Sequence, residues 1–181
     1  MMPKTAPNFR VLTIGHSTHP LAEFIALLQA QGVTLVADVR TVPRSRHNPQ
    51  FNRDTLPVSL KAADIGYVHL PALGGWRQPQ PYSPNLGWRS LGFQGFADYM
   101  LTPEFEKHLT ALIELACRER LALMCAEALP WRCHRSLIAD ALVVREITVA
   151  HIMGPKSPQP HRLNPMARVE GTRITYPLAA D

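Results

Sequence analysis

Cysteine is scarce in this chain: three residues in 181, an odd number, with no Cys-x-x-Cys pair. That argues against a disulfide framework and against the usual structural zinc spacing. No apolar run approaches the ~18 residues of a membrane span. Met1 to Arg10 is polar and interrupted by Pro3 and Pro7, so it contains no signal-peptide core. Charged residues are also few, 18% against a usual ~25%, while hydrophobic residues reach 46%; such a chain buries a core rather than remaining disordered. No internal repeat is present, and no Gly-rich phosphate loop: Gly15 stands alone before His16-Ser17. These absences leave a cytoplasmic protein with reduced thiols and no membrane partner, with a flexible stretch over 1–10 and a single domain over 11–178.

Proline and arginine are plentiful. Of seventeen prolines, seven lie between Pro43 and Pro84 and four between Pro155 and Pro165, so neither stretch holds long regular structure. Fifteen of the nineteen basic residues are Arg, and the net charge is +5. Arg suits bidentate recognition of phosphate or carboxylate, and the charge balance favours acidic partners.

Between the prolines, apolar periodicity marks the elements. Val11 to Ile14 is a short β-branched run, a buried strand. Pro20 opens a helix on which Leu21, Phe24, Ile25 and Leu28 share a face, and Gly32 ends it. Further strands are expected at Val33–Arg40, Tyr67–Leu70, Leu121–Glu127 and Thr148–Met153. Helices are expected over Arg53–Ala63, from Thr102-Pro103 onward, and over Arg132–Arg145. Residues 71–93 read as one long Pro/Gly-rich loop, and Arg168–Pro177 as a C-terminal extension adding an edge strand through Thr172–Tyr176. The alternation predicts an α/β domain with a mainly parallel open sheet of about five strands, flanked by helices on both faces. In such sheets ligands bind beyond the carboxyl ends of the strands. Here those ends carry His16-Ser17, Asp38-Val-Arg40, His69, Cys125-Ala-Glu127 and His151.

Two constellations could carry chemistry. The first is Cys125-Ala-Glu127 followed by Cys133-His134-Arg135, running from a strand end to a helix start. Unsatisfied amides at a helix N-terminus favour an anion, so Cys133 is the leading thiolate, flanked by Arg132 and Arg135. Cys125 is the second thiol, and Glu127 or His134 the proton carrier. The spacing departs from a phosphatase-type thiol loop: six residues separate Cys125 from Arg132, and Glu127 inside the loop would repel phosphate. The second constellation is Asp38 and Arg40 followed by Arg44 and Ser45, an anion-attracting loop with four Arg and no acid between Asp38 and Asp54. A carboxylate at the end of a buried strand needs a partner, either an Arg or a substrate hydroxyl. Trp76, Tyr82, Trp88 and Phe93 in the long loop would either stack on a base or anchor the loop.

Thr13-Ile-Gly-His-Ser17, Asp38-Val-Arg40 with Pro43-Arg-Ser45, Leu73-Gly-Gly75, Met124-Cys-Ala-Glu127, Cys133-His-Arg135 and a tail with His151, His161 and Tyr176-Pro177 occur in the order found in one family. The chain resembles domain-of-unknown-function family 488 from about Val11 to Pro177. It departs at Asn164-Pro165, where a Thr or Ser would follow His161-x-Leu. The resemblance implies an α/β domain with the motifs gathered at one site. It implies no established reaction, only a loose DNA-repair label on some members.

Three functional readings follow. The first is an enzyme acting on an anionic, nucleotide-like or nucleic-acid substrate. Cys133, His134, Glu127, Cys125 and Asp38 would carry the chemistry, and Arg40, Arg135, His16, Ser17, Arg44 and Ser45 would hold the substrate, with no cofactor. The second is a non-enzymatic nucleic-acid-binding module associated with DNA repair. The third is a metalloprotein holding zinc or iron through Cys125, Cys133 and a His.

Overall fold

Apolar residues alternate between two faces along the central strand, and that alternation organises the molecule. In the computed structural model, which describes residues 10–179, β1 (Arg10–Gly15) lies between β4 (Leu121–Cys125) and β5 (Thr148–Ile152). Leu12 and Ile14 point to one side, where they pack with Phe24, Leu27 and Leu28 of α1 (Leu21–Ala30) and Leu56 and Leu60 of α2 (Leu56–Lys61). Val11 points to the other. There it joins a cluster built from α3 (Leu91–Tyr99), α4 (Pro103–Arg118) and α5 (Arg135–Val143). Because both faces are covered, β1 and β4 are apolar almost throughout, as parallel strands must be.

The full sheet adds β2 (Leu35–Asp38), β3 (Gly66–His69) and a two-residue β6 (Gln159–Pro160) in the order β3-β2-β4-β1-β5-β6. The first five strands are parallel and β6 is antiparallel to β5. The architecture is thus the open α/β sheet read from the sequence. The connections through α1 and α2 cover one face, and those through α3, α4 and α5 cover the other. The change of direction falls beside β4, so the ends of β1, β2 and β4 flank a crevice where a ligand can enter.

Local signals explain the boundaries. Thr102 caps α4, its Oγ1 accepting from the Phe105 amide at 3.2 Å, and Pro103 occupies the first turn. The last helix starts later than the sequence suggests. Pro130–Arg132 forms one 3-10 turn, Cys133 is extended, and α5 begins only at Arg135.

Two expectations are corrected. Thr172–Tyr176 does not join the main sheet. It contributes β8 (Arg173–Thr175), which pairs with β7 (Arg168–Glu170) as a separate hairpin turning at Gly171, while Ile174 and Tyr176 tuck into the core. Residues 71–93 are not all loop either, since α3 begins at Leu91. The rest of that stretch is tied down by Asp98 of α3, which accepts from Ser83 Oγ (2.6 Å), Asn85 Nδ2 (2.7 Å) and the Gln80 amide (2.8 Å). Trp88 and Phe93 stack on each other as anchors, whereas Trp76 and Tyr82 are exposed. The flexible stretch expected over 1–10 lies, apart from Arg10, outside the described residues. No helix among the described residues is long and apolar enough to cross a membrane.

Candidate functional site

The strand ends converge on a cavity of about 400 Å³. Its wall includes His16 from the end of β1, Arg40 from β2, Cys125 and Glu127 from β4, Cys133 and His134 before α5, and Arg44 and Ser45 from the basic loop. Eight of the eleven residues singled out from the sequence therefore share one pocket. The other three, Asp38, Arg135 and Ser17, lie behind it or beside it.

Asp38 is fully buried and holds Arg40 bidentately, Nε to Oδ1 at 2.9 Å and Nη2 to Oδ2 at 2.7 Å. Tyr67 donates its hydroxyl to Oδ2 at 2.5 Å, and Arg40 Nη2 also donates to the Phe51 carbonyl at 2.7 Å. Burial and the adjacent carboxylate push the Tyr67 phenol far above its ordinary range, so it stays a donor. Asp38 thus takes the Arg partner rather than a substrate hydroxyl. Arg40 in turn presents Nη1 to His16 Nε2 at 3.3 Å. The other ring nitrogen of His16 donates to the Ser17 carbonyl (2.9 Å), and the ring stacks on Phe51. Ser17 itself adopts a left-handed turn (φ 44°), and its amide donates to the Ala126 carbonyl at 2.9 Å.

The thiols sit at the centre. Cys125 and Cys133 place their sulfurs 2.7 Å apart, both buried in the protein yet facing the cavity. Arg135 is wholly buried behind them. Its Nη1 donates to Cys125 Sγ and to the Glu127 carbonyl, both at 2.5 Å, its Nη2 to the Ala128 carbonyl at 3.1 Å and its Nε to Thr13 Oγ1 at 3.2 Å. Burial raises the Cys125 thiol, but the Cys133 thiol donating to it and the Arg135 charge outweigh that and bring it down to about 7. Cys133 moves the other way: burial, and its neighbour Cys125, push it well above 9. It does receive the Arg135 amide at 3.4 Å, as a residue beside a helix N-terminus should. The guanidinium, the stronger donor, is aimed at Cys125.

Close approach explains two glycines. A Cβ on Gly15 would lie 1.8 Å from the Glu127 carbonyl oxygen, the oxygen that Arg135 grips. A Cβ on Gly75 would lie 2.6 Å from His134 Nδ1. With the loop lying over it, His134 Nε2 donates to the carbonyls of Val39 (2.9 Å) and Leu73 (3.0 Å). That fixes the tautomer and leaves Nδ1 as a bare acceptor 3.5 Å from Cys133 Sγ. The Glu127 carboxylate is exposed and, among the described residues, meets only the Leu129 amide, at 3.4 Å.

Behind Arg135 runs a buried chain that the sequence reading left unconnected. Thr13 Oγ1 accepts from Arg135 and meets His151 Nδ1 at 2.6 Å; His151 Nε2 meets His161 Nδ1 at 2.8 Å; His161 Nε2 meets Asp140 Oδ1 at 2.7 Å. Tyr176 donates to Asp140 Oδ2 at 2.7 Å, and the Asn164 amide to Oδ1 at 3.2 Å. Every donor in this chain points from the cation toward the carboxylate. Thr13 was the available signal, the one polar side chain in Val11–Ile14, as was Asp140 on the apolar face of α5.

Buried neutral imidazoles give a pH prediction. Burial lowers His16 and His134 to about 4 and, together with the neighbouring His161 and the Arg135 charge, His151 to about 3. The unfolded chain protonates these rings near 6.5. Between 6.5 and those lower values the unfolded chain binds more protons than the native one, so stability is complete above 6.5 and falls as pH drops toward 4. Each ring contributes on the order of 3 kcal/mol when the loss is complete. Urea midpoints at pH 7 and pH 4.5 should therefore differ widely; equal midpoints would mean the rings are not held neutral.

Among the described residues, no group of three His, Cys, Asp or Glu side chains is arranged to hold a metal ion. The family described as Domain of unknown function DUF488 matches residues 20–142, a stretch that includes both thiols, Asp38 and Arg135 and stops before His151, His161 and Tyr176. No curated protein and no solved structure matches the chain.

Proposed function

The chain belongs to the DUF488 family, whose description carries no reaction, and we propose from the site itself that it is a thiol-dependent enzyme acting on an anionic substrate. The observation that carries this reading is the contact between Cys125 Sγ and the buried Arg135 guanidinium at the inner wall of a cavity open to small molecules. Cys125 is the nucleophile. Arg135 stabilises its thiolate by charge and by a directed N–H, the arrangement that makes a cysteine reactive near neutrality. Cys133 remains protonated, donates to the thiolate, and is the nearest proton source for a leaving group. His134, kept neutral by burial and fixed in its tautomer by two carbonyls, presents Nδ1 to Cys133 as a hydrogen-bond acceptor. Arg44 and Arg132 are exposed on the cavity wall, with no side-chain ion pair among the described residues, and supply the attraction for an anionic group.

The test is the pH dependence of alkylation. Iodoacetamide should modify Cys125 with a midpoint near 7 rather than 9, read by peptide mapping so that the exposed Cys117 is scored separately. Cys125→Ser should remove that fast phase, and Cys133→Ala should keep it with the midpoint moved up, because one donor to the thiolate is gone. A Cys125 midpoint near 9 in the unmodified protein would sink the proposal.

A further inference from the structure

Two sulfurs 2.7 Å apart, one favoured as thiolate and the other as thiol, form more than a nucleophile with a neighbour. We propose that Cys125 and Cys133 are a two-electron dithiol–disulfide couple that reduces hydroperoxides, with Cys125 attacking and Cys133 resolving. The proposal rests on Cys125 being the site's thiolate, and it adds a redox activity that the preceding reading does not require.

The chemistry closes with the atoms present plus two named co-reactants. The Cys125 thiolate attacks the outer oxygen of a hydroperoxide. An S–O bond forms, the O–O bond breaks, and the alkoxide leaves as an alcohol after taking a proton from solvent in the cavity. Cys125 is then a sulfenic acid. Cys133 lies in contact with it and needs to lose only its own proton. His134 Nδ1, 3.5 Å from Cys133 Sγ and bare because Nε2–H is committed to the carbonyls of Val39 and Leu73, accepts a hydrogen bond from that thiol and orients it. The Cys133 sulfur attacks Cys125, the S–S bond forms, the S–O bond breaks, and the departing hydroxide takes the Cys133 proton and leaves as water. Two electrons have moved from two sulfurs to one peroxide. A low-molecular-weight thiol, two equivalents per turnover, returns the pair by exchange and leaves as its own disulfide.

Three features of the site favour this assignment. Both sulfurs face the cavity, so a small oxidant reaches them without opening the fold. The pair joins the end of β4 to the residue two before α5, across the short turn at Pro130–Arg132, so closing the bond spans one local loop rather than two distant elements. The remaining cysteine, Cys117, is exposed on α4 and belongs to neither the cavity nor the thiol pair.

The experiment is thiol counting by mass. Reduced protein receives one equivalent of hydrogen peroxide, is denatured in iodoacetamide and is weighed. The protein should lose the mass of two hydrogens, and its alkylated cysteines should fall from three to one, the survivor being Cys117. Excess small thiol should restore three. Cys133→Ser should instead gain one oxygen at Cys125, trapped by dimedone, and Cys117→Ser should still close the pair. If the unmodified protein keeps three alkylatable thiols, the couple does not exist, even where the alkylation midpoint near 7 leaves the thiolate reading intact. If Cys125→Ser forms a sulfenic acid at Cys133 as fast as the unmodified protein reacts, the order of attack is overturned. Should Cys133→Ser fail to fold, the mass change of the unmodified protein decides the matter alone.

Discussion

Replacing Arg135 with methionine should lower stability by about 2–6 kcal/mol, the cost of leaving two buried carbonyls without a donor, and should also remove the acidity of Cys125. Arg135 sits at the first position of α5 with no solvent exposure, yet four groups accept from its side chain: Cys125 Sγ, the carbonyls of Glu127 and Ala128, and Thr13 Oγ1. Methionine fills the volume but donates nothing. Two carbonyls lose their buried donor, each at a cost of about 1–3 kcal/mol, and the thiolate loses its cation, so Cys125 protonates and the lost ion pair is not left as a bare charge. At pH 7 alkylation of Cys125 should slow about tenfold or more, since each unit of rise in thiol pKa above the working pH reduces the thiolate fraction about tenfold. Arg135→Lys separates the two effects. It retains a positive charge, so part of the thiol acidity remains, but its single ammonium cannot span four acceptors, and stability still falls. A methionine variant with unchanged urea midpoint and unchanged alkylation rate would refute the role assigned to this guanidinium.

The second large effect is at Asp38. Changing it to alanine leaves Arg40 buried without its bidentate partner and Tyr67 without its acceptor, and should cost about 3–5 kcal/mol. The loss arises from the stranded charge, so a double change, Asp38→Leu with Arg40→Met, should recover much of it. The cycle of urea midpoints for the two single variants and the double variant reads the coupling directly. If the double variant is as unstable as the sum of the singles, the two side chains do not form the pair described. His16 provides a second readout: it rests on Arg40 Nη1 and Phe51, so the Asp38 change should loosen one wall of the cavity.

The strands were legible because each is a short apolar, β-branched run stopped by polar residues, and parallel strands bring those polar ends to one edge. Most of the pocket followed from that rule alone. α3 was hidden because Gly92 and Gly95 weaken its helical pattern, and its formation depends on packing: Gly95 lies against the Arg77 backbone, and Asp98 gathers the loop before it. Which cysteine receives the cation was not legible either. The helix-terminus argument favours Cys133 through backbone amides, whereas long side chains at a helix start project backward. Arg135 accordingly passes Cys133 and reaches the end of β4. The chain from Thr13 to Asp140 joins residues from position 13 to position 161, and no local pattern reports such a contact. Thr172–Tyr176 alternates as an edge strand does, but its partner β7 and the turn at Gly171 direct it into a separate hairpin.

Asp140 bears on the order in which this protein can be completed during synthesis. Its carboxylate is enclosed in α5, but its three donors arrive later in the chain, at His161, Asn164 and Tyr176. A ribosome adds about 5–20 residues each second, so for a few seconds the emerging protein contains an acid that only water can satisfy. Until residues 161–176 appear, α5 cannot close fully onto the sheet without burying that acid unpartnered. The newborn chain must keep this side open, and the segment carrying His161, Asn164 and Tyr176 acts as the latch that seals it.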